Sequence, residues 1–284
     1  MRVLVSIPHY FREDPQSAYG SGRMKASARA SSLAMALHGL LDLENEASSL
    51  VDFRRENGRL AANSVPDLRF EIVVCTLGDN HLMETLAPDL RARVHHQPAL
   101  CPPEKLGFIA QQILANNMGN SFDFYGIMED DVLISDRYFF DKLAYFSNDT
   151  NKVLFPNRFE IEEHRPNRKL YVDGPYGYVS NPEFEHLLND RRSCDLAWAG
   201  GLVRLQKVVN SHAGCFFLSR EQMRFYRAAP AFGDHVTQYV SALESAMTFG
   251  VMRTFDVYKP ARENADFLEI RHLGVRHLVG PGQA

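Results

Sequence analysis

Along this chain, short apolar runs alternate with stretches of helical period. RVLVSIP (2–8) is a β-branched run stopped by proline, and it predicts a buried strand opening the fold. HYFREDPQSAYGSGR (9–23) reads as a loop. Met24, Ala28, Leu33, Leu37, Leu40 and Leu41 then recur at the spacing of an amphipathic helix from 24 to about 43. RFEIVVCTLGDN (69–80) predicts a second strand with Gly-Asp-Asn at its tip. LMETLAPDLRARVHHQP (82–98) predicts a short helix and a third strand. PEKLGFIAQQILANNM (103–118) predicts a helix with Leu106, Ile109, Ile113 and Leu114 on one side, and FDFYGIMEDDVLI (122–134) a fourth strand. Residues 44–68 are polar and weakly periodic, as in an insertion. Strands separated by helices imply a mostly parallel sheet.

The second half has a different texture. Residues 165–192 are rich in turn formers and tyrosine, which suits a substrate-facing surface or ordinary long loops. HAGCFFLSREQMRFYRAAP (212–230) predicts a strand and then a helix, and HVTQYVSALESAMTFG (235–250) a helix ending at Gly250. VMRTFDVYKP (251–260) predicts a strand closed by Pro260, and FLEIRHLGVRHL (267–278) a last strand. No repeat, low-complexity tract or linker interrupts the pattern. One α/β domain over 1–284 is expected, made of two fused halves, 1–131 and 132–284.

With 284 residues and 45% hydrophobic content, the chain is long enough for a large core, and a formal charge of −4 gives no overall basic field, which argues against a nucleic-acid polymer as partner. Four dispersed cysteines, 75, 101, 194 and 215, without a C-x-x-C pair, fit buried thiols in a reducing compartment better than disulfides or zinc. No segment is apolar over the roughly 18 residues that span a bilayer, and the N-terminus meets Pro8 and His9 too early for a secretory signal. A cytoplasmic protein is expected, with peripheral membrane association left open.

The concentrated chemistry lies in YGIMEDDVLI (125–134), where an apolar run breaks at Glu129, Asp130 and Asp131. Adjacent carboxylates repel, so the triplet is either a solvated loop or the seat of a divalent cation. While the backbone stays extended, Glu129 and Asp131 face one way and Asp130 the other. At most two of them then aim at one ion, and Mg²⁺ or Mn²⁺ would need waters and phosphates to complete its shell. In an open parallel sheet ligands gather at the C-terminal strand ends. Pro8-His9-Tyr10, Gly78-Asp79-Asn80 and the triplet all fall at such ends.

These features together resemble the GT-A glycosyltransferases. VSIPHY, the KLGFIAQQIL helix and MEDDV are similar to that family's nucleotide-binding half, and HAGCFFLSREQM to its glycine-containing loop, strand and helix. ALESAMTFGVMRTFDVYKP resembles the helix start bearing its catalytic base, and IRHLG the late histidine of its metal shell. The resemblance implies a Rossmann-like, mostly parallel sheet flanked by helices, with an acceptor-side half after the acidic motif. It implies transfer of a hexose from a nucleoside-diphosphate sugar to a glycan, lipid-linked or other hydroxyl acceptor.

By the same resemblance, Asp131 and His272 would hold Mn²⁺ or Mg²⁺, with His277 competing for the second place. Glu129 and Asp130 would meet ribose, metal-bound water or backbone, and His212, Ala213 and Gly214 would line the donor sugar. Glu244 would be the base of an inverting reaction, although Ser245 stands where the family has a second acid. Asp234 is the next candidate, and retention becomes possible if neither is placed correctly. Pro8, His9 and Tyr10 would frame the nucleobase and Asp79 its base or ribose. Lys105 and Gly107 would approach the diphosphate, and Arg271 or Arg276 would offset its charge. Trp198 and the tyrosines of YVDGPYGYV are acceptor-sugar platforms or core residues. Two rivals stay open: a nucleotidyltransferase acting on sugar phosphates, against which SIPHYFRED lacks a Gly-rich basic loop, and a non-catalytic carbohydrate-binding protein on the same fold.

Overall fold

A computed structural model describes residues 1–14, 24–44, 48–54, 58–62, 68–162, 168–172, 192–207 and 212–274. Its first half runs β1 (Arg2–His9), α1 (Ala26–Asp42), a hairpin of β2 (Ser49–Asp52) and β3 (Gly58–Ala61), β4 (Arg69–Leu77), α2 (Pro88–Arg91), β5 (His95–Ala99), α3 (Leu106–Asn116) and β6 (Phe124–Met128). After the acidic triplet come β7 (Val132–Leu133), α4 (Phe139–Phe146), β8 (Lys152–Leu154), β9 (Asn157–Ile161), β10 (Lys169–Tyr171), β11 (Ser193–Trp198) and β12 (Gly201–Lys207). The described chain closes with β13 (Cys215–Ser219), α5 (Arg220–Ala228), a helix over 242–252 (α6), β14 (Asp256–Pro260) and β15 (Glu269–His272).

The expected α/β architecture is present. The central sheet has the order β13-β6-β1-β4-β5; β6, β1, β4 and β5 are parallel and β13 is an antiparallel edge. Helices cover both faces, so β1 is apolar at nearly every position. Side chains alternate across a strand. Val3, Val5 and Ile7 therefore pack with Leu33, Leu37 and Leu40 of α1, while Leu4 packs with Val73, Cys75 and the Leu106, Ile113 and Leu114 of α3. His9 continues the odd-numbered series towards α1. A second sheet, β10-β9-β15-β7, begins where the chain leaves β6 through the triplet, and a third has the order β11-β12-β14-β8.

Three elements differ from the sequence expectation. The insertion at 44–68 contains the β2–β3 hairpin; its short strands carry too few alternating positions to stand out. The run FDFYGIMEDDVLI is two strands in different sheets, broken at the carboxylates. The helix expected over 235–250 starts only at Ala242, where Ser241 Oγ accepts from the Glu244 N–H at 3.2 Å. It then passes through a π-helical turn, Ser245–Phe249, and continues beyond Gly250. Gly250 is not a stop signal: a Cβ there would collide with the Tyr226 hydroxyl and lie 3.3 Å from the Ala231 carbonyl. Ser245 is buried, donating to Ser241 O at 2.7 Å and accepting from Tyr239 N at 3.1 Å, which explains a small hydroxyl there.

All four cysteines are free, and among the described residues no helix is long and apolar enough to cross a membrane. Cys75 and Cys215 are buried, as expected, while Cys101 and Cys194 are half-buried; burial pushes the Cys75 thiol up to about 12. Trp198 packs at the core edge against Tyr145 and Phe267. The expected tyrosine platforms beyond Tyr171, with Arg276 and His277, lie outside the described residues.

Gly126 marks the tightest strand contact near the site. A Cβ there would meet the Phe217 ring and stand 2.7 Å from the Phe216 carbonyl of β13. Gly126→Ala is expected to destabilise the fold by about 1–3 kcal/mol through overpacking, seen as a lower midpoint in chemical denaturation with an unchanged slope; an unchanged midpoint would contradict the packing described.

Candidate active site at the acidic strand tip

Three strand registers assemble the site. β13 runs antiparallel to β6 with Cys215 opposite Met128, so Gly214 falls opposite Glu129 and its carbonyl accepts the Glu129 N–H at 2.8 Å. Gly214 has φ +69°, and a Cβ there would stand 2.9 Å from Val132 Cγ2 and 3.0 Å from Glu129 Oε2. Only glycine suits that position. β15 pairs with β7 through His272 and Val132, and the Leu273 N–H donates to Asp131 O at 2.8 Å, which fixes His272 beside Asp131. β9 lies parallel to β15 and carries Arg158 and Glu160 on one side, two residues apart.

Each carboxylate of the triplet meets protein cations or imidazoles. Glu129 faces His212 Nε2 at 3.4 Å and Arg158 at 3.4 Å. Asp130, 3% exposed, accepts from His9 Nδ1 at 2.5 Å and from Arg29. His9 Nε2 accepts the Leu82 N–H at 3.0 Å, which leaves the ring proton on Nδ1, directed at Asp130. Asp131 accepts from Arg29 Nη1 at 2.6 Å and lies 3.7 Å from His272 Nε2. The other His272 nitrogen meets the fully buried Glu160 at 2.8 Å.

Burial alone would raise the Asp131 carboxyl, but the Arg29 guanidinium and His272 reverse this and hold it far below the usual range. Burial likewise opposes the charge on Glu129, and His212 with Arg158 brings its pKa down. For His212 the lowering by burial is outweighed by Glu244 and Glu129. For His272 it is outweighed by hydrogen bonds to Asp131 and Glu160, which carry the imidazole up to about 9.

Glu244, on the first turn of α6, reaches this cluster: its Oε1 lies 3.5 Å from His212 Nε2, and its Oε2 is buried without a partner among the described residues. Asp234 has both oxygens engaged, one by Arg253 and one by the Val236 N–H at 3.2 Å. Lys105 is turned to the His235 carbonyl at 2.6 Å, and Gly107 is packed under α6, where a Cβ would stand 2.7 Å from that of Ala246. Asp79 is exposed past β4 beside Gly78, whose φ is +50°. Pro8 is buried and Tyr10 half-buried. Arg271 lies on β15 with Nε buried and unpartnered among the described residues. Ala213 is buried beside His212.

Two expectations need correction. His9 was expected to frame a nucleobase; it is 0% exposed, clamped between the Leu82 amide and Asp130, and so braces the acidic tip. Asp130 was expected at ribose, metal-bound water or backbone, but its two oxygens are taken by the side chains of His9 and Arg29. Three residues of the site escaped the sequence reading: Arg29, Arg158 and Glu160. Arg29 carried a signal. It stands four residues before Leu33 and eight before Leu37, on the core-facing stripe of α1, where a charged side chain is rarely buried unless paired. Arg158 and Glu160 alternate with apolar neighbours and so read as a solvent face.

A resident divalent ion needs open oxygen ligands. Glu129 and Asp130 have theirs facing protein partners, and among the described residues no three ligand-type side chains converge. Asp131 and His272 are 3.7 Å apart, which one ion could bridge, yet the Arg29 guanidinium occupies the same Asp131 oxygen. At ~4 Å and an effective dielectric of about 20, a guanidinium and a divalent ion repel by about 8 kcal/mol. This arrangement does not fit a resident metal ion.

No protein-family description and no curated protein matches the chain. Among solved structures it is similar to TarS 1-349 of S. aureus, with 10% identity and a TM-score of 0.43 over 92% of this chain and 60% of that one. It is also similar to GalNAc-T7 crystallised with UDP, GalNAc and Mn²⁺, at 10% identity and TM-score 0.49, over 95% of this chain and 43% of that one. A further TarS structure from S. aureus gives 10% identity and TM-score 0.46, over 94% and 38%. The chain thus spans 38–60% of the length of these proteins. At such identities and scores the likenesses carry no argument about activity.

The raised His272 has a consequence for stability. Its interactions contribute fully below the unfolded-state pKa of 6.5 and are lost as pH rises through about 9. His272→Gln is therefore expected to cost most below pH 6.5, up to about 3 kcal/mol, and progressively less up to about pH 9 in chelator-containing buffer. Urea melts of both proteins across that range measure this; a pH-independent difference would refute it.

Proposed function

We propose that this chain is a GT-A-type glycosyltransferase that moves a hexose from a nucleoside-diphosphate sugar to a hydroxyl of a glycan or lipid-linked acceptor, with inversion at the anomeric carbon. The observation that carries this reading is the meeting of three distant segments. Glu129 of the acidic tip, His212 of the glycine loop and Glu244 of α6 form one contact chain at the C-terminal rim of the parallel sheet. Ligand sites form at that rim, and a carboxylate with one unpartnered oxygen is the group an inverting transfer requires.

In this reading Glu244 removes the acceptor hydroxyl proton as the new C1–O bond forms and the bond from C1 to the diphosphate oxygen breaks. His212 holds Glu244 through Oε1, leaving Oε2 for the proton. Asp234, engaged by Arg253, is the weaker candidate. His212, Ala213 and Gly214 stand beside the tip on the side that the resemblance gives to the donor sugar, and Asp79 and Tyr10 stand at the same rim for the nucleoside, with Pro8 buried beneath Tyr10's strand end. Arg271 offers cationic charge to the departing diphosphate. The resemblance assigns Mn²⁺ or Mg²⁺ to Asp131 and His272; none of these steps passes through that ion.

Glu244→Gln is expected to lower the transfer rate by about 10²–10⁴-fold while leaving the affinity for nucleoside diphosphate unchanged. Nucleoside-diphosphate release from a panel of nucleotide sugars, beside a direct binding measurement, tests both halves. Sugar binding that persists with no nucleotide affinity would favour a carbohydrate-binding protein, and pyrophosphate release from a nucleoside triphosphate would favour a nucleotidyltransferase.

A further inference from the structure

The acidic tip already has a cation in it. Arg29 sits on the core-facing side of the first turns of α1 with its side chain 7% exposed, one Nη on Asp130 and the other on Asp131 Oδ2 at 2.6 Å. That helix start has no acidic residue in its own first turn and no side-chain cap at Lys25. Asp130 and Asp131 provide the negative charge that the buried Arg29 needs. Around them Arg158 faces Glu129, and His272 lies between Asp131 and Glu160. A divalent ion bound through Asp131 Oδ2 and His272 Nε2 would have to displace a buried guanidinium that is held at two points.

We propose that Arg29 takes the role of the divalent cation at this tip, so that the protein binds its nucleotide donor without metal. Arg29 is too buried to touch the donor. It acts as a positioning residue: by neutralising Asp130 and Asp131 from below, it makes the rim tolerant of a diphosphate that three bare carboxylates would repel. This inference rests on the glycosyltransferase reading, and the two can fail separately.

The experiment is a thermal-shift screen of UDP, GDP, ADP, CDP and TDP, each in EDTA and in Mn²⁺, on wild type and on Arg29→Met and Arg29→Lys. For wild type, one nucleotide should raise the melting temperature equally in both buffers. In Arg29→Met that shift should vanish in EDTA and return with Mn²⁺, because Asp131 and His272 are then free to take the ion; a purely structural loss would not be rescued by metal. Arg29→Lys, which keeps the charge and guards against a Met variant that does not fold, should retain a smaller shift in EDTA. A wild-type shift seen only with Mn²⁺ would overturn the role of Arg29 and leave the glycosyltransferase reading standing. No shift with any nucleotide in either buffer would overturn both, and a folded Arg29→Met protein whose shift is unaltered in EDTA would overturn the role of Arg29 alone.

Discussion

Three consecutive carboxylates withdrawn from water are the constraint around which the rest of this structure is arranged. Taking a charged group out of water carries a penalty of several kcal/mol per ion, and mutual attraction recovers it only where geometry and hydrogen bonds are good. Glu129, Asp130 and Asp131 cannot neutralise one another, so each must be met by a partner from elsewhere in the chain. Those partners come from five places: His9 at the end of β1, Arg29 on α1, Arg158 on β9, His212 before β13 and His272 on β15. The triplet thus ties the central sheet, its covering helix and the second sheet to one point. It also lies where the chain passes from β6 to β7, so the bend between sheets and the charge cluster are the same feature.

The architecture was readable because it depends on periodicity. Apolar runs such as RVLVSIP and RFEIVVCTL have no solution other than burial on both faces, and the α1 and α3 stripes have no solution other than packing on them. The candidate site was readable only by half. Motifs that announce themselves by composition, the acidic triplet, the glycine loop and the late histidine, were visible, and the structure brings all of them together. Their counter-charges were not, because the partner of a buried carboxylate is chosen by tertiary register. Arg158 meets Glu129 and Glu160 meets His272 because β9 and β15 align as they do, 29 and 112 residues apart in sequence. Gly250 misled for a related reason: a glycine read as a stop is there because another side chain occupies its Cβ position.

The same network gives the site its chemical asymmetry. Where cations press on a carboxylate it stays ionised, as at Asp131 and Glu129. Glu244 is held differently, through one oxygen and one imidazole, with the other oxygen buried and unpartnered among the described residues. In the transfer proposed above the two kinds of acid have different tasks: fixed anions organise the rim, and Glu244 meets the acceptor hydroxyl. Their separation here is a matter of which neighbours each has.

Such coupling changes how loss of function in this molecule must be read. Truncating Asp130 or Asp131 removes a carboxylate and also takes away one of the two anions that hold the buried Arg29, and breaking a buried pair costs up to roughly 3–5 kcal/mol. That is a sizeable share of the 5–15 kcal/mol by which a native domain is stable. An inactive Asp131→Ala protein would therefore be ambiguous between lost ligand contact and lost structure. The informative perturbations are those that separate the two: a charge-preserving exchange at Arg29, restoration by an added ion, or the isosteric Glu244→Gln, which keeps an oxygen for His212.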